Sequence, residues 1–298
     1  MKTKMNIKTN LGTRVFTVVN SVLLSLLAVV CILPLINILA ISLSSSGAAT
    51  AGLVDLWPVE FTWRSYEYVA KRVAFWTALN VTLVRCLLGV SINLILCVLT
   101  AYPLSKERKQ FRWRTLYAWF FFLTMLINSG LIPWYMTIKS FNLIGTIWAL
   151  VLPGAVPVFN VVLLLNFFRA VPKELEEAAF VDGATHWTVL FKIFIPISMP
   201  AMATICLFSL VGHWNSWFDG IILMSKPYQY PLQSYLNTVI IQRDLSLAGS
   251  SDWQSIALVS DRTVKCAQIF LSALPIIAAY PFLQRYFVKG MVLGSVKG

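Results

Sequence analysis

The sequence predicts an all-α membrane protein that crosses the bilayer six times. Three observations carry this. Of 298 residues, 58% are hydrophobic and only 12% are charged, where soluble domains carry about 25%, and the mean hydropathy is +0.74. Six stretches reach the roughly 20 mainly apolar residues that a helix needs to cross hydrocarbon. The basic residues behind the net charge of +12 stand at the ends of these stretches and in short connections, where they control topology. That placement gives the positive charge a simpler account than nucleic-acid binding.

Residues 1–14 carry Lys2, Lys4, Lys8 and Arg14 and no acid, and no charge follows from Val15 to Leu43. A secretory leader has a similar basic start, and Ala48-Ala49-Thr50-Ala51 resembles a cleavage region. A leader's apolar core is about 7–15 residues, however. This one is far longer, so an uncleaved spanning helix is expected over 15–43. Further spans are expected near 75–101, 115–138, 144–168, 195–221 and 266–286. The second holds Arg85, and the fifth holds His213 and Asp219 toward its end. Pro153 and Pro157 interrupt the fourth, which is tolerated where neighbouring helices or a cavity satisfy the freed backbone groups.

Six spans place both termini on one side, and loop charge says which. The N-terminal segment, the 102–114 connection (Lys106, Arg108, Lys109, Arg112, Arg114), the 169–194 loop (Arg169, Lys173, Lys192) and the tail (Arg285, Lys289, Lys297) are the basic side. The opposite loops are longer and sparser in Lys and Arg. Both termini and the 169–194 loop are therefore expected in the cytoplasm. The other face carries loops 44–74 and 222–265, the second mixing aromatics with Gln, Asn and Ser. Cys31, Cys86, Cys97, Cys206 and Cys266 lie in or beside apolar runs with no Cys-x-x-Cys pair, which reads as buried free thiols. The chain has no phosphate-binding Gly-x-x-x-x-Gly-Lys-Ser/Thr loop, no Gly-x-Ser-x-Gly and no His-Glu-x-x-His. His186 and His213 are the only histidines, so no metal site or catalytic triad is expected. Energy for any transport must come from a gradient or a partner.

The 169–200 stretch is a polar island between two long apolar runs. Pro172 suits a helix start. Glu174, Glu176 and Glu177 follow beside the positive end of the helix dipole. Leu175, Ala178, Ala179 and Asp182 share a face, and Gly183 falls where a left-handed stop belongs. Thr185 can cap a second helix running to Pro196 and Pro200. Ordinary caps explain these residues as well as a docking surface does.

Glu177-Ala178-Ala179, then Gly183, then Ile193-Phe194-Ile195-Pro196 matches the EAA motif of permease subunits of ATP-binding-cassette importers, departing only at Ile195, where leucine is usual. The chain also resembles carbohydrate-type permeases of the MalG branch over nearly its whole length, and within it the LplC/YtcP-like oligosaccharide permeases. Ala101-Tyr102-Pro103-Leu104-Ser105, Gly130-Leu131-Ile132-Pro133, Trp214-Asn215 and Gly294-Ser295-Val296-Lys297-Gly298 carry that likeness.

The resemblance implies a type I importer (MetI-like) permease fold in a bacterial inner, or cytoplasmic, membrane. It implies a cytoplasmic segment 1–14, a first helix 15–43, a transmembrane core 72–287 with a coupling loop 169–196 and an external loop 222–265, and a tail 288–298. The implied partners are a second homologous permease, two ATPase subunits and an extracytoplasmic sugar-binding protein, besides membrane lipid. ATP and Mg²⁺ would sit on the ATPases, with no cofactor on this chain. Glu177, Ala178, Ala179, Asp182, Gly183, Ile193 and Pro196 would form the ATPase coupling loop, Glu177 meeting a basic residue there. The external loop would touch the binding protein.

Ionisable groups inside lipid mark functional positions. Arg85 either faces a path or pairs with a neighbouring helix. His213, Trp214, Asn215, Trp217 and Asp219 offer the flat faces, donors and acceptors that a sugar path needs, and Trp217 at a span end also suits an interfacial anchor. Asn128 and Asn160 are further path candidates. Two rival readings remain: a proton-driven secondary transporter with His213 and Asp219 as relay, and a same-family importer of a non-sugar solute.

Overall fold

The computed structural model describes residues 11–127, 129–241 and 261–294, and every regular element among them is helical. The chain divides into two compact units. The first, Met1–Lys71 with Leu245–Leu271, contains α1 (Leu11–Ser42), α2 (Ser46–Thr50) and α3 (Arg64–Lys71). Every large apolar side chain of α1 from Val15 to Ile32 is more than half exposed. A helix apolar on all sides has no water-facing stripe and belongs in lipid or against another apolar chain. Its C-terminal end is fastened by polar contacts: Ser42 Oγ lies 2.7 Å from Tyr66 Oη, and Ser44 Oγ accepts from Val59 N at 3.0 Å. Ser45 caps α2 by accepting from Ala48 N. A small core of Ala40, Ile41, Ala48, Ala49, Val54 and Cys266 closes this unit.

The second unit, Arg72–Asp244 with Ser272–Gly298, is built on α4 (Val73–Ser105). Its buried residues, Phe75, Ala78, Thr82, Arg85, Cys86, Gly89, Asn93, Cys97, Ala101 and Tyr102 among them, recur every three or four positions and mark one inward face. Against that face pack α8 (Val158–Arg169) and α12 (Met199–Asn215). At Gly89 the backbone of α4 meets the ring of His213, and a Cβ there would collide with the imidazole. Thr82 Oγ1 accepts from Leu232 N at 2.7 Å, satisfying a free N–H in the first turn of α14 (Leu232–Ile241). Toward one end of α4 the apolar core gathers Tyr102, Leu164, Phe168, Val189, Leu190, Phe194 and Ile205.

Among the described residues, three helices are long and apolar enough to cross a membrane unbroken: Gly12–Ser42, Val73–Ser105 and Asp261–Pro281, the last within α15 (Asp261–Gly294). The expected total of six is reached when three broken pairs each count as one span. The 115–138 stretch is not one helix. It is α5 (Arg114–Leu126) and α6 (Leu131–Ser140), parted at Gly130, whose φ of 78° only glycine adopts without strain. In 144–168, α7 (Ile147–Val151) gives way to a 3₁₀ turn, Leu152–Gly154, and then α8 at a 49° bend, because Pro153 and Pro157 withhold backbone N–H groups. The fifth stretch is also a bent pair, His186–Ile197 with α12, Met199–Asn215, turning by 80° at Ser198. It ends at Asn215, before the short α13 (Phe218–Leu223). The stretch expected as an external 222–265 loop contains a 3₁₀ turn, Pro227–Gln229, and α14; its 242–260 part lies outside the described residues. Of the free cysteines expected to be buried, Cys86, Cys97 and Cys266 are, whereas Cys206 is half-buried and Cys31 is exposed on the apolar surface of α1.

Candidate functional site

Two places in the second unit gather the residues singled out in the sequence. The first follows α8. Here α9 (Lys173–Val181) ends as the composition foretold. Gly183 takes φ 79°, its N–H donates to Phe180 O at 3.0 Å, and Ala184 N donates to Ala179 O at 2.9 Å. These two bonds satisfy carbonyls that a helix end otherwise leaves open. Thr185 then caps α10 (His186–Val189), accepting from Thr188 N. The chain continues through a π-helical turn, Leu190–Phe194, and the short α11 (Ile195–Ile197).

Two faces of α9 differ sharply. Inward, Glu176 is buried and accepts from Lys106 Nζ at 2.6 Å. Lys106, just past the end of α4, is itself buried, with its ammonium 4.1 Å from the Tyr102 ring centre and 4.2 Å from that of Phe194. Burial pushes the Lys106 pKa down, and the Glu176 carboxylate pulls it partly back. Tyr102 Oη also lies 3.2 Å from His186 Nδ1. Outward, Leu175, Glu177, Ala178, Val181, Asp182 and Gly183 are exposed, and Val181 is 88% exposed. Ala179 and Ile193 are half-buried, and Pro196 is exposed. A second ion pair, Lys173 with Glu107, lies on the surface; the Lys173 ammonium holds the Glu107 carboxyl below its usual range, and Glu107 raises Lys173 in return. The sequence marked Glu177 and the small residues. It did not single out Lys106 and Glu176 as a pair, although Lys106, the first cation after a long apolar helix, was the available signal that some anion must meet it.

The second place is a cavity of about 460 Å³ within the spanning helices, lined by Arg85 and Asn93 of α4, Trp134, Asn160, and Ser209, His213, Ser216 and Asp219. The Arg85 guanidinium and the Asp219 carboxylate face each other in a two-pronged pair. One prong, Nη1 to Oδ1, spans 3.2 Å, and the other joins Nη2 to Oδ2. Arg85 also donates to Ser216 O and Leu150 O, each at 3.4 Å. Asp219 Oδ1 further accepts from Ser216 Oγ at 2.8 Å and Gly220 N at 2.9 Å. Asn160 Nδ2 donates to Ser209 Oγ at 3.3 Å. Arg85 Nε and Asn93 Oδ1 are buried without a protein partner.

Asn160, His213 and Asp219 thus share the cavity. Trp214 is buried and donates to Ser272 O at 3.2 Å, a packing role. Asn215 and Trp217 are exposed, and neither lines the cavity. Asn128 lies outside the described residues. Asp219 is paired with Arg85, and His213 of the rival relay lines the same cavity. Sequence reasoning weighed Arg85 and Asp219 one at a time; two opposite charges in separate apolar runs were the available clue to their pairing.

Comparison with known proteins agrees with this architecture. Residues 12–293 match the family described as binding-protein-dependent transport system inner membrane component. The chain is similar to Protein LplC of Bacillus subtilis, with 36% identity over 96% of each chain. It is similar to the polygalacturonan/rhamnogalacturonan transport system permease protein YtcP of the same organism, with 34% identity over 92% of this chain and 96% of that one. Among solved structures, a chain of a bacterial ABC transporter involved in the import of the acidic polysaccharide alginate superposes with a TM-score of 0.84 and 33% identity, covering 94% of this chain and 99% of that one.

Proposed function

Since the chain belongs to the family of binding-protein-dependent transport system inner membrane components, we propose that it is the permease subunit of a carbohydrate importer, taking up oligosaccharide through the cavity around Arg85 and Asp219. The likeness to LplC, YtcP and the alginate transporter chain supports a saccharide cargo. The single observation that carries the path is the row of polar groups facing that cavity inside apolar helices. Buried Arg85 Nε and Asn93 Oδ1 without protein partners are costly in a membrane interior and are the kind of groups that sugar hydroxyls satisfy. The two ionised groups of the lining neutralise each other, so the cavity discriminates by hydrogen bonding rather than by net charge.

The coupling surface is α9 with Gly183. Its outward face, apolar at Leu175 and Val181 and small at Ala178 and Gly183, is suited to close approach by an ATPase subunit, with Glu177 offering a carboxylate to a basic partner. ATP hydrolysis would lie on that subunit, and a second permease would complete the path. The distribution of Lys and Arg supports placing α9 and both termini on the cytoplasmic side. ATP-driven closure of the ATPases would move α9 and shift the helices between inward-open and outward-open arrangements.

Purification of the tagged chain in mild detergent tests this reading. A second permease, an ATPase and a sugar-binding protein are expected to come with it, and Glu177→Lys is expected to release the ATPase while leaving the permease pair intact. Uptake abolished by a proton uncoupler at constant ATP, with no ATPase recovered, would show a secondary transporter instead.

A further inference from the structure

A groove of about 410 Å³ runs between α5 and α8, and nothing in the coupling surface or the central cavity accounts for it. Its walls are apolar: Ala118, Trp119, Phe121 and Phe122 on α5, with Val158, Val161, Val162 and Leu165 on α8. Arg114, the first residue of α5, and Arg169, the last of α8, stand together at one end. From Arg169 to Val158 the wall is about 16 Å long at 1.5 Å per residue, close to the depth of one leaflet, about 15 Å. No residue of α5 is buried. The groove therefore has the length, polarity and openness of a slot for one lipid, with two cations at the headgroup level. The same end carries the basic 106–114 connection, the pattern by which membrane proteins gather anionic headgroups.

We propose that this groove binds an anionic phospholipid, its phosphate on Arg114 and Arg169 and an acyl chain along α5 and α8. Each arginine already donates through one nitrogen to the open carbonyls at the end of α4, Arg114 to Lys106 O at 3.2 Å and Arg169 to Leu104 O at 3.4 Å. A guanidinium has five N–H donors, so each keeps several for a phosphate. Neither arginine is in an ion pair among the described residues. A second cavity shares both arginines and is also lined by Glu107, Glu176 and Glu177. Glu107 is taken by Lys173 and Glu176 by Lys106. Two like charges beside one uncommitted carboxylate leave a net positive spot. The proposal rests on the permease reading only for naming the leaflet, the cytoplasmic one. It links lipid to function because the anchoring carbonyls belong to the turn that ends in Lys106, the partner of α9.

The test is native mass spectrometry of the assembled transporter taken from nanodiscs of phosphatidylcholine mixed with phosphatidylglycerol. Retained phosphatidylglycerol is expected at about 30-fold over phosphatidylcholine, equivalent to about 2 kcal/mol for two arginines. Arg114→Gln with Arg169→Gln removes that preference. Arg108→Gln with Arg112→Gln, exposed residues of the same connection, keeps it. Val162→Trp blocks the groove without touching the arginines or their carbonyl bonds and lowers retention even where the arginine variant folds poorly. Equal loss in both arginine pairs would show a diffuse basic surface. No preference in the wild-type complex, or unchanged retention in Val162→Trp, would show that the groove is not a lipid site, as when the second permease fills it. Copurification of the ATPase is scored on the same sample, so failure of the lipid site is distinguishable from failure of the permease assignment.

Discussion

Replacing Glu176 by methionine leaves the Lys106 ammonium buried with no carboxylate. At 2.6 Å and an effective dielectric of about 20, the two charges attract by roughly 6 kcal/mol. Desolvating each ion costs several kcal/mol, so the pair as a whole stands near balance with an apolar pair of the same volume. Removing one partner does not. Loss of either charge from a buried pair costs about 3–5 kcal/mol. The rings of Tyr102 and Phe194 retain part of the ammonium's stabilisation, about 1–2 kcal/mol for a desolvated cation, which puts Glu176→Met near 3 kcal/mol. Lys106→Met is expected to be milder, because Glu176 opens onto a cavity that Arg114, Arg169 and Lys173 also line. The double variant is expected within about 1 kcal/mol of wild type. Unfolding in mixed micelles under rising dodecyl sulfate, followed by tryptophan fluorescence, closes the cycle. The pH dependence has a definite sign. The folded pKa of Lys106 is lowered, so the unfolded chain binds more protons between that value and the ordinary lysine value, and stability rises with pH across this alkaline window. Glu176→Met removes the carboxylate's upward pull, which lowers the folded pKa further and widens the window; the double variant lacks it. If the two single losses simply add in the double variant, the pair is not coupled and the reasoning fails.

Within the central cavity, Asp219→Leu alone is expected to collapse assembled-complex yield, because Arg85 is 3% exposed. Adding Arg85→Met should restore the yield but not sugar uptake, measured with labelled substrate in cells. Gly183→Val has open space for its side chain, so its cost is the left-handed backbone alone, about 1–2 kcal/mol; a matching drop in thermal stability is expected, and no drop would mean that the turn is not held at positive φ. Gly89→Ala drives a methyl into the His213 ring and is expected to cost about 1–3 kcal/mol by overpacking. In the same thermal assay, His213→Ala on that background should recover part of the loss.

The sequence showed most of the fold because lipid imposes few solutions: long apolar runs, punctuated by Pro and Gly and flanked by Lys and Arg. The turn at Gly183 was legible for a similar reason, since only glycine holds that φ cheaply. Breaks inside spans were harder to place. Pro153 and Pro157 announced one, and Pro196 and Pro200 bracket the turn at Ser198, but the break between α5 and α6 has only Gly130, at positive φ, as its local mark. The charge pairs were least legible. Lys106 and Glu176 are 70 positions apart, and Arg85 and Asp219 are 134 apart. Local pattern says that each needs an opposite charge, and only the packed helices say which one.

Both pairs fasten to the same helix. Arg85 lies within α4 and Lys106 just past its end, 21 positions later, about 31 Å along the axis. An unbroken helix of that length is stiff under axial load, and Pro103, in its last turn, is the only proline within it. On the proposed reading, a push on α9 would be received at Lys106, and the rod would deliver it to α13, whose Asp219 lines the cavity. The slender loop would then carry no long-distance signal itself; it would be the handle of a shaft whose far end is pinned at the cavity proposed as the path.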